Sequence, residues 1–92
     1  MADDLEACRR DIDRIDDALV ALLAKRFAVV DRVIAHKLAA GLPAAIPERI
    51  EEVVARVRGR AVAQGLSPGV AENVWRQLIT ETIAYERQKR VA

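Results

Sequence analysis

The sequence predicts an all-α protein of three helices with a very long first helix. The 92 residues include only 4 glycines and 3 prolines, which favours long helices over a many-turned β fold. The first forty residues contain neither glycine nor proline. Apolar residues recur there at spacings of three and four, as they do along one face of a helix. Residues 1–92 are therefore expected to form a single helical domain.

The first helix is expected to run from about Asp3 to Ala40, because Gly41 and Pro43 together form a helix stop. Such a helix is about 55 Å long at a rise of about 1.5 Å per residue. A compact chain of this length would be only about 25–30 Å across. The helix must then project from its own subunit, and its apolar stripe would stay in water unless a second chain covered it. This mismatch predicts a homodimer.

The second and third helices follow from local start and stop signals. Pro47 is a good first-turn residue, and Gly65 is a suitable terminating residue after Gln64. Ser67 is then expected to cap the third helix and Pro68 to be its first residue. The third helix is expected to fray in the basic tail Arg87–Arg90.

Composition excludes several classes of function. There are 15 basic and 14 acidic residues, for a net charge of +1, so a nucleic-acid partner is not expected. No apolar run approaches the ~18 residues of a membrane span, and the N-terminus does not resemble a targeting peptide, so a cytoplasmic location is expected. Cys8 and His36 are the only residues of their types, which excludes a disulfide within the chain and a Cys/His zinc site. No metal and no cofactor are expected.

Arg26 breaks the apolar pattern, because the heptad through Leu5, Ile12 and Leu19 continues onto it. A guanidinium buried in such a seam without a partner costs several kcal/mol. It could reach the edge of the seam or pair with an acid such as Asp31. Alternatively, it points into an enclosed site that accepts an anion.

Two further cations share the first helix with Arg26. Lys37 lies eleven residues later, which is about 20° around the helix and about 16 Å along it, so both side chains could reach one small dianion. The alternative for Lys37 is a solvated lysine near a helix C-terminus. Arg9 is about 25 Å from Arg26 along the helix and could serve the same ligand only from a second, antiparallel chain. Otherwise it pairs with Glu6 or Asp13 on the surface.

Three segments resemble the all-helical (AroQ-type) chorismate mutases. The segment from Arg9 to Arg26 reads R-x-x-I-x-x-I-D-x-x-L-x-x-L-L-x-x-R and, together with Lys37, is similar to the first helix of that family. Pro-Glu-Arg at 47–49 resembles the start of the second helix, and I-x-x-T-x-x-x-E at 79–86 resembles the third-helix motif. The resemblance spans essentially the whole chain and keeps the spacings between the cations.

The resemblance implies an intertwined homodimer of three-helix chains with two active sites shared between the long helices. The implied reaction is the Claisen rearrangement of chorismate to prephenate, which serves phenylalanine and tyrosine biosynthesis and needs no cofactor. The substrate is a small dianion. Such a step requires a shaped, positively charged pocket and neither a nucleophile nor a metal.

The resemblance also implies residue roles. The partner subunit's Arg9 and Arg26 would bind the two substrate carboxylates, and Lys37 would donate to the ether oxygen as the C–O bond breaks. Glu86 would stand on the other side of that oxygen. The remaining implied pocket residues are a bordering cation, two apolar walls and a hydroxyl near a substrate carboxylate: Arg49, Val33, Ile79 and Thr82.

Two departures from the family pattern change the expectations. Many members carry Gln where this chain has Glu86. An ionised carboxylate would repel the developing oxyanion, so Glu86 must be protonated to donate to it, and activity should favour lower pH.

Ile46 and Ile50 occupy positions where typical mutases carry an Asp and a Glu that hold the ring hydroxyl. In this respect, and in the stretch 45–49, the chain resembles the related isochorismate-pyruvate lyases, which release salicylate and pyruvate in siderophore pathways. Chorismate mutase remains the favoured interpretation and the lyase is the alternative. A non-catalytic helical dimerisation module is the further alternative.

Overall fold

The computed structural model describes residues 4–91, and three α-helices account for nearly all of them. These are α1 (Leu5–Ala40), α2 (Pro47–Gln64) and α3 (Pro68–Val91). No strand occurs between residues 4 and 91. The all-α class, the number of helices and the length of the first helix are confirmed.

Local capping sets both ends of α1. The side chain of Asp4 accepts a hydrogen bond from the Ala7 amide at 2.8 Å and so caps the first turn. Gly41 ends the helix with a left-handed φ of 69°, a conformation that glycine adopts without steric cost. The predicted start at Asp3 lies outside the described residues.

The connection between α2 and α3 is formed by the turn residues from which it was predicted. Gly65 has φ 74° and terminates α2, as expected. The Ser67 hydroxyl accepts from the Val70 amide at 3.4 Å, and Pro68 is the first residue of α3. The breaks between the helices therefore follow from turn chemistry.

The predicted fraying of Arg87–Arg90 is wrong, because α3 continues to Val91. A tertiary contact explains the difference. The Arg90 guanidinium donates to the Leu42 carbonyl at 2.9 Å and ties the last turn of α3 to the connection after α1. Helix propensity and charge at a chain end do not encode such a contact.

The third helix packs against both of the others. The Phe27 and Tyr85 rings meet edge to face at 4.9 Å between α1 and α3. The Tyr85 hydroxyl donates to Asp31 at 2.6 Å, and this hydrogen bond raises the pKa of Tyr85. The buried apolar residues are Val30, Ile34, Ala44, Val54, Ala61, Ala71 and Ile79.

An ion-pair network joins the outer surfaces of α2 and α3. Arg76 contacts Glu51 at 2.9 Å and Glu72 at 2.8 Å. Arg58 contacts Glu72 at 2.7 Å. The hydrogen bonds from Arg76 lower the pKa of both carboxyl groups. The network links α2 to α3 on the surface of the molecule.

The N-terminal half of α1 extends away from the rest of the chain. The molecule measures 58 × 28 × 15 Å, so its longest dimension is about twice that of a compact chain of this size. No described residue covers the apolar stripe of this half. The fractional exposures along the stripe are Leu5 64%, Ile12 55%, Ile15 59%, Leu19 51% and Leu22 59%. Within residues 4–91, none of the helices is both long enough and apolar enough to cross a membrane.

Candidate functional site

A cavity of about 380 Å³ lies where the three helices converge, within the usual size range of small-molecule sites. Its polar side chains are Arg26 and Lys37 from α1, Arg49 from α2, and Thr82 and Glu86 from α3. Aliphatic side chains form the rest of the lining: Val29, Val30, Val33, Ala44, Ile46, Ile50, Val53, Ile79 and Ile83. The cavity is thus an apolar pocket with a few convergent charged groups.

Arg26 is half-buried at one side of this cavity. Its Nη1 donates to the Thr82 hydroxyl at 3.1 Å, and that hydroxyl donates to the Leu78 carbonyl at 2.7 Å. Burial, and then the like charge of Arg49, lower the pKa of Arg26. The suggested pairing with Asp31 does not form, because Asp31 accepts from Tyr85 instead. An anion in the cavity would offset both of the effects that disfavour the Arg26 charge.

Lys37 reaches the cavity from the last turn of α1 and is fully engaged. Its Nζ lies 3.1 Å and 3.2 Å from the two Glu86 carboxylate oxygens and 2.7 Å from the Ala44 carbonyl. Lys37 and Glu86 are 16% and 4% exposed, so the solvated-lysine alternative does not hold. An ammonium has three N–H donors, and three acceptors surround it here. A substrate oxygen can therefore bind to Lys37 only if one of these contacts is given up.

Glu86 is the only acidic side chain in the cavity lining. It is buried to 3% exposure, and within residues 4–91 Lys37 is its hydrogen-bond partner. Removing one partner of a buried ion pair typically costs about 3–5 kcal/mol, because the other charge is left uncompensated. Glu86 and Lys37 therefore act as one unit, and changing either alters the other.

Arg49 borders the cavity from the first turn of α2. Its Nη1 contacts Glu52, and both side chains are more than 60% exposed, so this pair adds little stability. Arg49 nevertheless adds to the local charge: three cations and one carboxylate leave the lining at +2 (3 − 1). Such a lining attracts small anions and disfavours cations.

Arg9 does not reach this cavity within the chain. It pairs with Glu6 at 2.8 Å on the exposed part of α1, with 61% and 66% exposure for the two side chains. It lies seventeen residues before Arg26, or about 25 Å along the helix axis. A single chain thus forms the surface pair, whereas a role for Arg9 at the cavity requires a second chain.

The structure also brings in groups that the sequence interpretation missed. The Ala44 carbonyl accepts the shortest of the Lys37 contacts, and Val29, Val30, Val53 and Ile83 complete the apolar wall. A backbone carbonyl has no sequence signature, so no pattern could have indicated it. The valines follow the same apolar pattern as core residues, so the sequence did not mark them as pocket residues. Val33 and Ile79 lie on the wall as the resemblance implied.

The lining suits catalysis by positioning and electrostatics. It contains no cysteine or histidine, and among residues 4–91 no group of three or more metal-ligating side chains comes together. Three cations and an apolar wall can hold a small dianion in one conformation. They can also stabilise negative charge that develops on an oxygen near Lys37.

Comparison with known proteins agrees with this geometry. No curated protein sequence matches the chain at a significant level. Residues 8–87 match the sequence model of a family described as chorismate mutase type II. The match includes every residue that lines the cavity.

Proposed function

The chain belongs to the chorismate mutase type II family, and we propose that it is a chorismate mutase that rearranges chorismate to prephenate. The observation that carries the proposal is the placement of Arg26 and Lys37 around one cavity of about 380 Å³ with a lining charge of +2. The reaction breaks the ether C–O bond and forms a C–C bond within the same molecule. No group leaves the substrate molecule, so the protein needs to supply only a cavity of the right shape and charge.

Positioning accounts for much of the expected rate. Arg26 binds one substrate carboxylate, and its bond from Nη1 to Thr82 fixes the guanidinium as it does so. The aliphatic wall holds the ring and the enolpyruvyl arm in a compact conformer in which the two reacting carbons approach each other. Preorganisation of this kind can supply about 7–11 kcal/mol of the barrier reduction.

Lys37 provides electrostatic stabilisation of the transition state. Negative charge grows on the ether oxygen as the C–O bond breaks, and a preorganised ammonium in an apolar cavity stabilises it. Because Glu86 and Ala44 engage all three Lys37 donors, substrate binding must displace one of these contacts. Glu86 would then stand on the other side of the same ether oxygen.

We further propose that the functional unit is a homodimer. The exposed apolar stripe of α1, exemplified by Leu19 at 51% exposure and Leu22 at 59%, needs a cover. An antiparallel second copy would provide that cover twice by symmetry and would bring the partner subunit's Arg9 to the second substrate carboxylate. The sites would then be shared between chains. A cytoplasmic enzyme of phenylalanine and tyrosine biosynthesis is the corresponding cellular role.

One observation favours a second candidate, isochorismate-pyruvate lyase. Ile46 and Ile50 both line the cavity and offer only aliphatic surface on this side. A substrate whose ring hydroxyl points toward them would lose its hydrogen bonds to water without replacement, at a cost of about 1–3 kcal/mol. Isochorismate carries that hydroxyl at a different ring position. The same cations would bind it, and elimination of pyruvate would leave salicylate.

Separate incubations with chorismate and with isochorismate test the proposal. We expect prephenate from chorismate at a rate well above the uncatalysed one, and little salicylate from isochorismate. Salicylate and pyruvate as the dominant products would instead establish the lyase. Turnover of neither substrate by the folded protein would leave the dimerisation module as the remaining interpretation.

A further inference from the structure

The last turn of α3 carries an arginine that the proposed chemistry does not use. Arg90 donates from Nη1 to the Leu42 carbonyl at 2.9 Å. Its Nε and Nη2 atoms are buried, and neither has a hydrogen-bond partner among residues 4–91. Burying such donors without partners is destabilising, because they lose their hydrogen bonds to water without replacement. A contact retained at this cost calls for a reason beyond stability.

Leu42 begins a stiff segment. Pro43 follows it, and a proline fixes its own φ near about −65° and restricts the residue before it. The Leu42 amide also donates to the Lys37 carbonyl at 2.8 Å. The proline thus reduces the number of free backbone torsions between the Leu42 carbonyl and Ala44. A constraint on the position of that carbonyl therefore also restricts the position of Ala44.

Ala44 is where this segment meets the site. It is buried to 7% exposure, and its carbonyl accepts from the Lys37 ammonium at 2.7 Å. Glu86, which lies four residues before Arg90 on α3, accepts from the same ammonium. One face of α3 thus holds Lys37 twice, directly through Glu86 and indirectly through Arg90 and the Leu42–Ala44 segment.

We propose that Arg90 is a positioning residue for Lys37: by holding the Leu42 carbonyl, it fixes the Ala44 carbonyl that orients the ammonium. This inference rests on the proposed function for its effect on rate. Its effect on the Lys37 ammonium does not depend on any substrate. Lys37 acts on charge that develops in the transition state, so its misplacement lowers kcat more than it changes KM.

The test compares Arg90→Met, Arg90→Lys and the matched control Arg87→Met, which removes the same charge from an exposed position on α3. For each variant, kcat and KM with chorismate, the NMR signal of the Lys37 ammonium and the melting temperature are measured. We expect Arg90→Met to lower kcat about tenfold, since an error of about 1 Å in position can cost up to about 100-fold. The ammonium signal should shift or broaden with it. Arg90→Lys, which can still donate to Leu42, should recover most of the rate, and Arg87→Met should match the wild type.

The melting temperature distinguishes a positioning role of Arg90 from a role in stabilising the fold. Met removes two buried unpartnered donors, so Arg90→Met should melt no lower than the wild type. A loss of rate that merely follows a lower melting temperature would overturn the proposal, as would an unchanged Lys37 signal. If the wild type does not rearrange chorismate, the proposed function fails. The Lys37 signal still decides whether Arg90 positions that group.

Discussion

The charged side chains of the cavity are held by one another and by the backbone, and this determines how they can respond to a substrate. Lys37 donates to Ala44 and Glu86, and Arg26 donates to Thr82. Thr82 is a neutral partner, so the charge of Arg26 remains uncompensated and attracts a carboxylate. The Lys37 charge is compensated by Glu86, and the substrate must compete for it. We therefore expect the two cations to differ in role: Arg26 would bind a substrate carboxylate, and Lys37 would respond to the charge that develops during the reaction.

The Glu86 carboxyl group should limit the rate of the reaction. A carboxylate beside the developing oxyanion opposes catalysis, whereas an uncharged donor at the same position stabilises it. We expect Glu86→Gln, whose amide can donate to the ether oxygen, to be faster than the wild type. At pH about 8 the variant should gain about tenfold or more, because one oxyanion donor is worth about 10²–10³ in rate.

The measurement is kcat at that pH for the wild type, Glu86→Gln and Glu81→Gln. Glu81 is an exposed residue of α3 that bonds to Gln77 and does not line the cavity, so its variant should keep the wild-type rate. A Glu86→Gln variant no faster than the wild type would contradict the placement of Glu86 beside the ether oxygen.

At the scale of the elements, α3 holds the cations that α1 brings to the site, and α2 contributes a further part of the cavity lining. Thr82, Glu86 and Arg90 lie on successive turns of one face of α3 and reach Arg26, Lys37 and Leu42, respectively. The position of α2 depends partly on its outer ion pairs with α3. These pairs are exposed to solvent, so their contribution is small and sensitive to pH and salt.

The Arg76 network predicts a pH-dependent effect on stability. Its hydrogen bonds lower the folded-state pKa of Glu51 and Glu72 below the ordinary value of 4.5. A lowered pKa contributes stability that is fully present above the unfolded value and is lost as pH falls through the folded value. We expect Arg76→Leu to lower the melting temperature at pH about 7, and the difference from the wild type to vanish well below the ordinary carboxyl range.

Melting curves of the wild type, Arg76→Leu and Arg60→Leu check this expectation. Arg60 is exposed on α2, and its variant controls for the loss of one surface charge. An Arg76→Leu deficit that persists undiminished at pH about 2 would mean that packing of the arginine stem, and not ion pairing, fixes α2 against α3.

The sequence predicted the limits of the helices more fully than it predicted the contacts of the site. Gly41, Gly65 and Pro68 predicted the helix limits because turn conformation is a local property. Arg26 could be singled out because it interrupts an apolar repeat. The Arg90–Leu42 contact could not, because it joins the end of the chain to a backbone carbonyl 48 residues earlier. No residue pattern marks such a pairing before the helices are packed.

At the scale of the whole molecule, the single chain leaves two things incomplete. The N-terminal half of α1 exposes its apolar stripe, and Arg26 is the one cation of the lining to which the proposal assigns a substrate carboxylate, whereas a dianion has two. A second copy packed along α1 would answer both, since Arg9 lies on the uncovered half. Dimerisation and catalysis are thus expected to depend on the same helix.

Subunit mixing tests this shared-site account most directly. Arg9→Ala and Arg26→Ala are purified separately, mixed, unfolded and refolded together, and assayed for prephenate formation from chorismate. Each variant alone should be nearly inactive, because every site lacks one carboxylate-binding cation. Random pairing makes half of the dimers mixed, and by symmetry each has one intact site of two, so the mixture should recover about a quarter of the wild-type rate. Full activity of Arg9→Ala alone, or no recovery on mixing, would contradict a site shared between two chains.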